Sequence, residues 1–349
     1  MKICILGPVI SETQIGGVAT FTEGLAEGFI KENHEVCVIT TTKKVDVNSK
    51  NFNAIVVKTR GFLSFIMNRK KISKIVTSQN PDIIITSLEY CMIFKKIKKR
   101  NKYTTIHYLH GFKTYNYGIK GLLINHLFKR TRKYCDYYVS NSELTNVINN
   151  DLYGIYSDAT IHIGYKPIAL DNNVTKNEKL IVFAGRLVRE KGVDKIIKAF
   201  NEIENLNDNI KLYIVGDGPE LGMLKELTNN NNIIFLGKKS HVETVEIMQK
   251  AHSFISLNSH EPFGIVYLEA LSCKCNIICP TTGGQKEFLT DRNSNFVIPN
   301  NIENIKNGII ESLAKEFDEN SINLEYFSYK RVAQDICKMI KDDNKSTYN

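Results

Sequence analysis

No apolar run in this 349-residue chain approaches the ~18 residues a helix needs to cross a bilayer. A helical membrane span is therefore excluded. The N-terminus, Met1 to Gly7, breaks at Gly7-Pro8 and reads as a first strand, not as a secretion signal, so a cytoplasmic chain is expected. The eight cysteines are scattered, and none forms the paired Cys-x2-Cys spacing of zinc sites. Cys273, Cys275 and Cys279 lie close in sequence but straddle a helix end and a strand, so no metal is expected there. Most cysteines sit in apolar segments, which suits buried thiols in a reducing compartment. The chain lacks Gly-x-Gly-x-x-Gly, which counts against a dinucleotide-binding dehydrogenase. No low-complexity tract suggests disorder, and no recognisable nucleic-acid motif is present.

What is there is an ordinary globular composition, 42% apolar and 24% charged, at a length that suits two domains. Strand-like runs alternate with helical patterns, the signature of α/β domains with parallel sheets covered on both faces. Strands are expected at Lys2–Leu6, Glu35–Thr41, Ala54–Lys58, Asp82–Ser87, Thr104–Leu109, Tyr137–Ser140 and Thr160–Ile163. After a polar, aperiodic linker, 166–178, a fresh series begins with Leu180–Ala184 and runs through Lys211–Val215, Ile233–Gly237, Ser253–Leu257 and Asn276–Cys279. Phe21, Leu25 and Phe29 make one helical stripe, and Ile196, Ile197, Phe200 and Ile203 make another. The expected division is 1–165, linker 166–178, 179–325, and a last helix from 326 followed by a tail to 349.

The formal net charge of +9 concentrates in Lys95–Lys102 and Lys129–Lys133. Basic runs of this kind are solvated helix faces by default. On one surface they would also bind an anionic leaflet, each charge adding roughly 1 kcal/mol. Nucleic acid is not an expected partner.

Candidate chemistry lies at strand ends. Asn258-Ser259-His260-Glu261-Pro262-Phe263-Gly264-Ile265 follows a strand and opens a helix to about Cys273, with Glu269 in its second turn. One carboxylate can face a crevice from the loop and the other from the helix, beside free N–H groups of the first turn. Gly185-Arg186-Leu187-Val188-Arg189-Glu190-Lys191-Gly192 also follows a strand, and a buried Arg186 with Lys191 would offer two cationic contacts to a diphosphate. Gly16-Gly17 precedes a helix where backbone can approach phosphate. Gly216 and Gly237-Lys238 end two further strands. His107 and His110 flank the end of Thr104–Leu109, with His107 expected in the interior. Ser142 is open between a cleft-facing role and helix capping.

The Glu261-x7-Glu269 pattern around Pro262-Phe263-Gly264 resembles the nucleotide-sugar motif of family-4 retaining glycosyltransferases. Gly185-Arg186-Leu187 with Glu190-Lys191-Gly192, the Gly216-Asp217-Gly218-Pro219 turn, Gly283-Gly284 with Glu287, and Gly16-Gly17-Val18 resemble further motifs of that family. The match covers essentially the whole chain, most specifically 180–290. One departure is Asn293–Pro299, which lacks the glycine usual before that strand. The resemblance implies the GT-B fold, two Rossmann-like domains facing each other across a cleft. It implies Arg186 and Lys191 as a pyrophosphate clamp, Glu261 and the Phe263–Gly264 amides on sugar hydroxyls, Glu269 on ribose, and His110 beside the sugar. Gly16, Gly17, Gly216, Gly237, Lys238, Ile265 and Leu268 complete the implied donor site. The chain has no Asp-x-Asp, so no metal or other cofactor is expected, and the co-substrate would be a nucleoside-diphosphate sugar. The implied acceptor is a glycan or a lipid-linked glycan. A GT-B sugar-nucleotide epimerase and an inactive transferase-like subunit are the alternatives from other classes.

Overall fold

The computed structural model describes residues 1–11, 16–59, 61–97, 103–111, 126–167, 170–171, 173–203 and 210–346, the side chains to 343. The chain divides into two units. The first joins Met1–Lys166 to the C-terminal Glu325–Asn349, and the second is Pro167–Leu324.

The first unit is built on a wholly parallel sheet. Its strands are β1 (Lys2–Leu6), β2 (Glu35–Thr40), β3 (Asn53–Val56), β4 (Ile83–Ser87), β5 (Thr104–Leu109), β6 (Tyr137–Ser140) and β7 (Ala159–Thr160). Their order is β3-β2-β1-β4-β5-β6-β7. β1 and β4 are buried along nearly their whole length, as the unbroken apolar runs of a two-sided sheet require. β7 is shorter than the expected Thr160–Ile163, because its ladder stops where β6 stops, at Ser140 opposite Thr160. The helix Gly17–Lys31 lays Phe21, Leu25 and Phe29, all fully buried, on this sheet. The C-terminal helix Tyr329–Ser346 packs on that helix and buries Val332, Ala333 and Ile336. Two glycines make the approach possible: a Cβ on Gly28 would lie 2.2 Å from the Tyr329 carbonyl, and one on Gly24 would overlap the Tyr329 ring.

The second unit carries β8 (Asn177–Ala184), β9 (Lys211–Val215), β10 (Ile233–Gly237), β11 (Ala251–Ile255), β12 (Asn276–Pro280) and β13 (Ser294–Val297). All pair in parallel, in the order β10-β9-β8-β11-β12-β13. Its core includes Ile196, Ile197, Phe200 and Ile203 of the expected stripe. The glycine lacking before β13 is replaced by an asparagine turn: the buried Asn293 side chain accepts from the Thr290 amide at 3.0 Å.

Each sheet has one point where the strand order reverses, between β1 and β4 in the first and between β8 and β11 in the second. Loops leaving the carboxyl ends of those strand pairs part in opposite directions, and the crevice between them is where open α/β sheets take ligands.

Candidate active site

In the second unit the reversal point is filled by the two motifs that sequence places 70 residues apart. The loop after β8 runs through Arg186 to a short 3-10 turn, Arg189–Lys191, and Gly192 enters the helix Val193–Asn201 at φ +66°. The loop after β11 carries Asn258 and Glu261 into the helix Ile265–Ser272. Lys191 Nζ donates to Glu261 Oε2 at 2.8 Å, and Asn258 Nδ2 donates to the same oxygen at 2.8 Å. The pair is three-quarters buried or more, with side-chain exposures of 24% and 17%. Asn258 is itself held, its Oδ1 accepting from the His260 amide at 3.2 Å. Among the described residues Glu261 is the one partner of Lys191, which leaves two of its three N–H donors for an anion.

Arg186 departs from expectation. It is exposed, not buried, and makes no ion pair among the described residues. Its loop is nonetheless stiff. Gly185 N donates to Val215 O at 3.0 Å, and Leu187 N to Asp217 O at 3.0 Å. Gly216, at φ +143°, approaches so closely that a Cβ there would lie 1.9 Å from the Gly185 carbonyl; one on Gly218 would lie 2.2 Å from that of Leu187. The Gly216–Gly218 turn is thus glycine so that two loop backbones can stack. Gly237 (φ +68°) accepts from Gly216 N at 2.9 Å and has open space where a Cβ would be, while Lys238 beyond it is exposed.

The carboxylate loop is pinned from below. Gly284 N donates to Glu261 O at 2.8 Å, and a Cβ on Gly284 would lie 2.0 Å from Pro262 O. Phe263 is 1% exposed and rings with Phe288 at 5.1 Å, so its side chain anchors the loop and only its backbone is near the crevice. Leu268 is fully buried too, and its side chain belongs to the core. Gly264 takes φ +96° with the Tyr267 ring and Glu261 Cγ crowding its missing Cβ. No side chain caps the helix that follows, and its first turn, starting at the half-buried Ile265, has no acid. An uncapped, acid-free helix start offers backbone N–H groups to an anion or hydroxyl. Glu269, one turn further, meets His241 Nε2 through Oε1 at 2.9 Å.

In the first unit, Gly16-Gly17 follows β1, Ser87 ends β4 and His110 follows β5, all on the carboxyl side of the sheet. Gly16 precedes the helix Gly17–Lys31 with no side-chain cap and no acid in the first turn, and a Cβ there would meet no described atom within 4 Å. His110 stacks near Tyr108 (5.3 Å) and meets the Phe21 ring edge-on at 4.5 Å, with Nε2 2.9 Å from Ser87 Oγ. Burial, and secondarily the His107 charge, lowers its pKa to about 3. His110 keeps some solvent contact, which tempers that shift without changing its direction, so at neutral pH it is a neutral imidazole. His107 is 1% exposed and sits 3.1 Å from the Thr86 carbonyl, an interior residue. Ser142 caps the helix Glu143–Tyr153 by accepting from Thr145 N at 3.0 Å, and capping accounts for it. A buried pair, Glu23 and Lys50 at 2.6 Å, holds both the amide and the carbonyl of Ile10 in the loop after β1.

Cys273 and Cys275 donate to separate carbonyls, Val245 and Met248, and burial raises their thiols to about 12 and about 11. No group of three or more His, Cys, Asp or Glu able to hold a metal occurs among the described residues. None of their helices is long and apolar enough to cross a membrane.

Three residues of these constellations have no role that the sequence motifs assign: Asn258, Ser87 and His241. Asn258 was within reach, since it stands three residues before Glu261 at the end of β11. Ser87 and His241 carry no motif, and only the folded chain brings them to His110 and Glu269.

The family profile described as Glycosyl transferases group 1 matches residues 168–331, and that of Glycosyltransferase Family 4 matches residues 15–171. Among curated proteins the chain is similar to alpha-monoglucosyldiacylglycerol synthase of Streptococcus pneumoniae, 25% identical over 94% of this chain and 82% of that one. Among solved structures, sucrose-phosphate synthase from Thermosynechococcus elongatus superposes with a TM-score of 0.77 at 16% identity, covering 99% of each chain. Anabaena HepE in complex with UDP-glucose superposes at 0.76 and 17% identity, over 98% of this chain and 100% of that one.

Proposed function

We propose, from the premise that this chain belongs to the family-4, group 1 glycosyltransferases, that it moves a sugar from a nucleoside-diphosphate donor, UDP-sugar foremost, with retention at the anomeric carbon. It is a GT-B glycosyltransferase of glycolipid or polysaccharide synthesis, and the acceptor is a glycan or a lipid-linked glycan. The observation that carries the donor reading is the Lys191–Glu261 pair at the β8/β11 reversal point.

Arg186 and the two spare N–H groups of Lys191 take the diphosphate. The backbone amides at the start of Ile265–Ser272 and the Glu261 carboxylate take sugar hydroxyls, and Glu269 takes the ribose. Gly237 and Lys238 flank the base, Gly216 supports the Arg186 loop, and Gly16-Gly17 offers a second uncapped helix start to phosphate. In the first unit, His110, neutral and with Nε2 engaged by Ser87, is the residue that the family resemblance assigns to the sugar. As the bond to the leaving diphosphate lengthens, negative charge grows on that group. Fixed cations and helix N-termini stabilise it without reorganising, which lowers the barrier selectively. No metal is required in this scheme.

The test is calorimetric binding of UDP, GDP and ADP. Arg186→Ala and Glu269→Ala are each expected to weaken the preferred diphosphate about tenfold or more, the range for losing a charge-assisted hydrogen bond. Unchanged affinity for all three nucleotides in both variants refutes the assignment.

The membrane reading rests on one exposed stripe. In the helix Phe62–Ser78, Phe65, Ile72 and Val76 face the core, while Leu63 (77% exposed) and Met67 (84%) point outward. Lys70, Lys71 and Lys74 continue that outer face. The adjoining helix Phe94–Ile97 packs on it and exposes Lys95 and Lys96. The rest of that basic run, Lys98–Lys102, lies outside the described residues. In Lys129–Lys133, Arg132 is engaged by Asp158 at 2.5 Å. Large apolar side chains beside lysines match an anionic bilayer, so the surface proposed is this helix more than the two basic runs. Leu63→Ser with Met67→Ser is expected to abolish liposome flotation; flotation independent of anionic lipid and of salt sinks the proposal.

A further inference from the structure

The residue that meets Glu269 belongs to no motif. His241 is the first residue of the helix His241–Lys250, whose start is fixed by a reciprocal cap: Ser240 Oγ accepts from Glu243 N at 3.2 Å and Glu243 Oε2 from Ser240 N at 2.8 Å. Its imidazole stands half-exposed, with Nε2 2.9 Å from Oε1 of the Glu269 carboxylate. His241 is the one partner of that carboxylate among the described residues. The Glu269 side chain is only 15% exposed, so its remaining acceptor capacity is directed, not spread through solvent.

An ionised carboxylate has about four lone-pair sites. One N–H from His241 occupies a site on Oε1 and leaves Oε2, and the other side of Oε1, to accept. Two such acceptors suit the vicinal 2′- and 3′-hydroxyls of a ribose, both of which donate. A glutamate without the imidazole would sample several rotamers, and each binding event would have to freeze them. We infer that His241 is a positioning residue for the donor nucleotide, fixing the Glu269 carboxylate in the orientation that accepts the ribose diol. The inference rests on the reading above that Glu269 takes the ribose.

The experiment compares UDP, GDP and ADP with their 2′-deoxy forms by calorimetry on the full chain. Wild type is expected to prefer the ribonucleotide about tenfold, the order of one hydrogen bond to a charged group. His241→Ala should weaken the ribonucleotide several-fold and shrink the ribo-to-deoxy ratio, leaving the deoxynucleotide nearly unchanged. His241→Gln, whose amide can still donate, should restore part of the ratio. Glu269→Ala with His241→Ala should be no worse than Glu269→Ala alone, because the imidazole acts only through the carboxylate. Equal weakening of both nucleotide forms in His241→Ala, or additive losses in the double variant, overturns the inference and leaves His241 as a helix tie. A Glu269→Ala variant that keeps the full ribo-to-deoxy ratio removes the ribose reading itself and the inference with it.

Discussion

Two imidazoles of the first unit, His107 and His110, are held neutral by burial, and His107 is the more deeply placed of them. His107 has its pKa lowered to about 3, mainly by burial, with the hydrogen bond to the Thr86 carbonyl only partly opposing. The unfolded chain protonates this group near its ordinary value of about 6.5, and the folded chain only near 3. Between those values the unfolded state binds the extra proton, so stability falls as pH falls; above 6.5 the group has no effect. At about 1.4 kcal/mol per unit, the loss attributable to His107 between pH 7 and pH 5 is about 2 kcal/mol. His107→Gln should flatten that part of the curve, as read by urea denaturation at both pH values. A slope equal to that of wild type would show that the imidazole is not held neutral. At the same scale, Lys191 and Glu261 are legible from sequence because the charges themselves are the signal. Arg186, expected to be buried, is exposed, because a residue's exposure depends on how its loop is propped and not on its type.

Among elements, the strand-end turns decide where those charges sit. Gly216 and Gly237 look alike in sequence, each closing a strand, and both have positive φ. Their surroundings differ: a Cβ at 216 meets the Gly185 carbonyl at 1.9 Å, and one at 237 meets nothing within 4 Å. Gly216→Ala must therefore push the Arg186 loop away. It is expected to destabilise by about 2–3 kcal/mol, backbone strain and overpacking together, and to weaken nucleoside-diphosphate binding. Gly237→Ala carries only the left-handed backbone penalty, about 1–2 kcal/mol. Thermal melting with nucleotide titration distinguishes the two, and equal effects would contradict the stacking of these loops. Sequence marks both positions as turns, but it contains no record of which neighbour lies against which turn.

On the scale of the molecule, the last helix completes the first unit, not the second. Tyr329–Ser346 rests on Gly17–Lys31 through the gap left by Gly24 and Gly28, and Arg331 adds a 2.9 Å hydrogen bond to the His162 carbonyl. Gly28→Ala puts a methyl group against the Tyr329 backbone, which no rotamer change relieves. The expected result is a loss of about 1–3 kcal/mol, the overpacking range, with faster amide exchange in 329–343 than in the second unit. Unchanged protection of that helix would mean the contact is not tight.

Sequence alone determined the alternation of strand and helix, the parallel α/β class of both units and the motif chemistry at their strand ends, because hydrophobic period and loop chemistry are local properties. The tertiary structure decided the partners. Reversal of strand order in the second sheet puts the loops after β8 and β11 side by side, and with them Lys191 and Glu261. Packing buries Phe263 and Leu268 and leaves Arg186 exposed. Ser87 and His241 reach His110 and Glu269 through contacts that span 23 and 28 residues of chain. Such pairings depend on where whole elements come to rest, and no pattern along the chain encodes that distance.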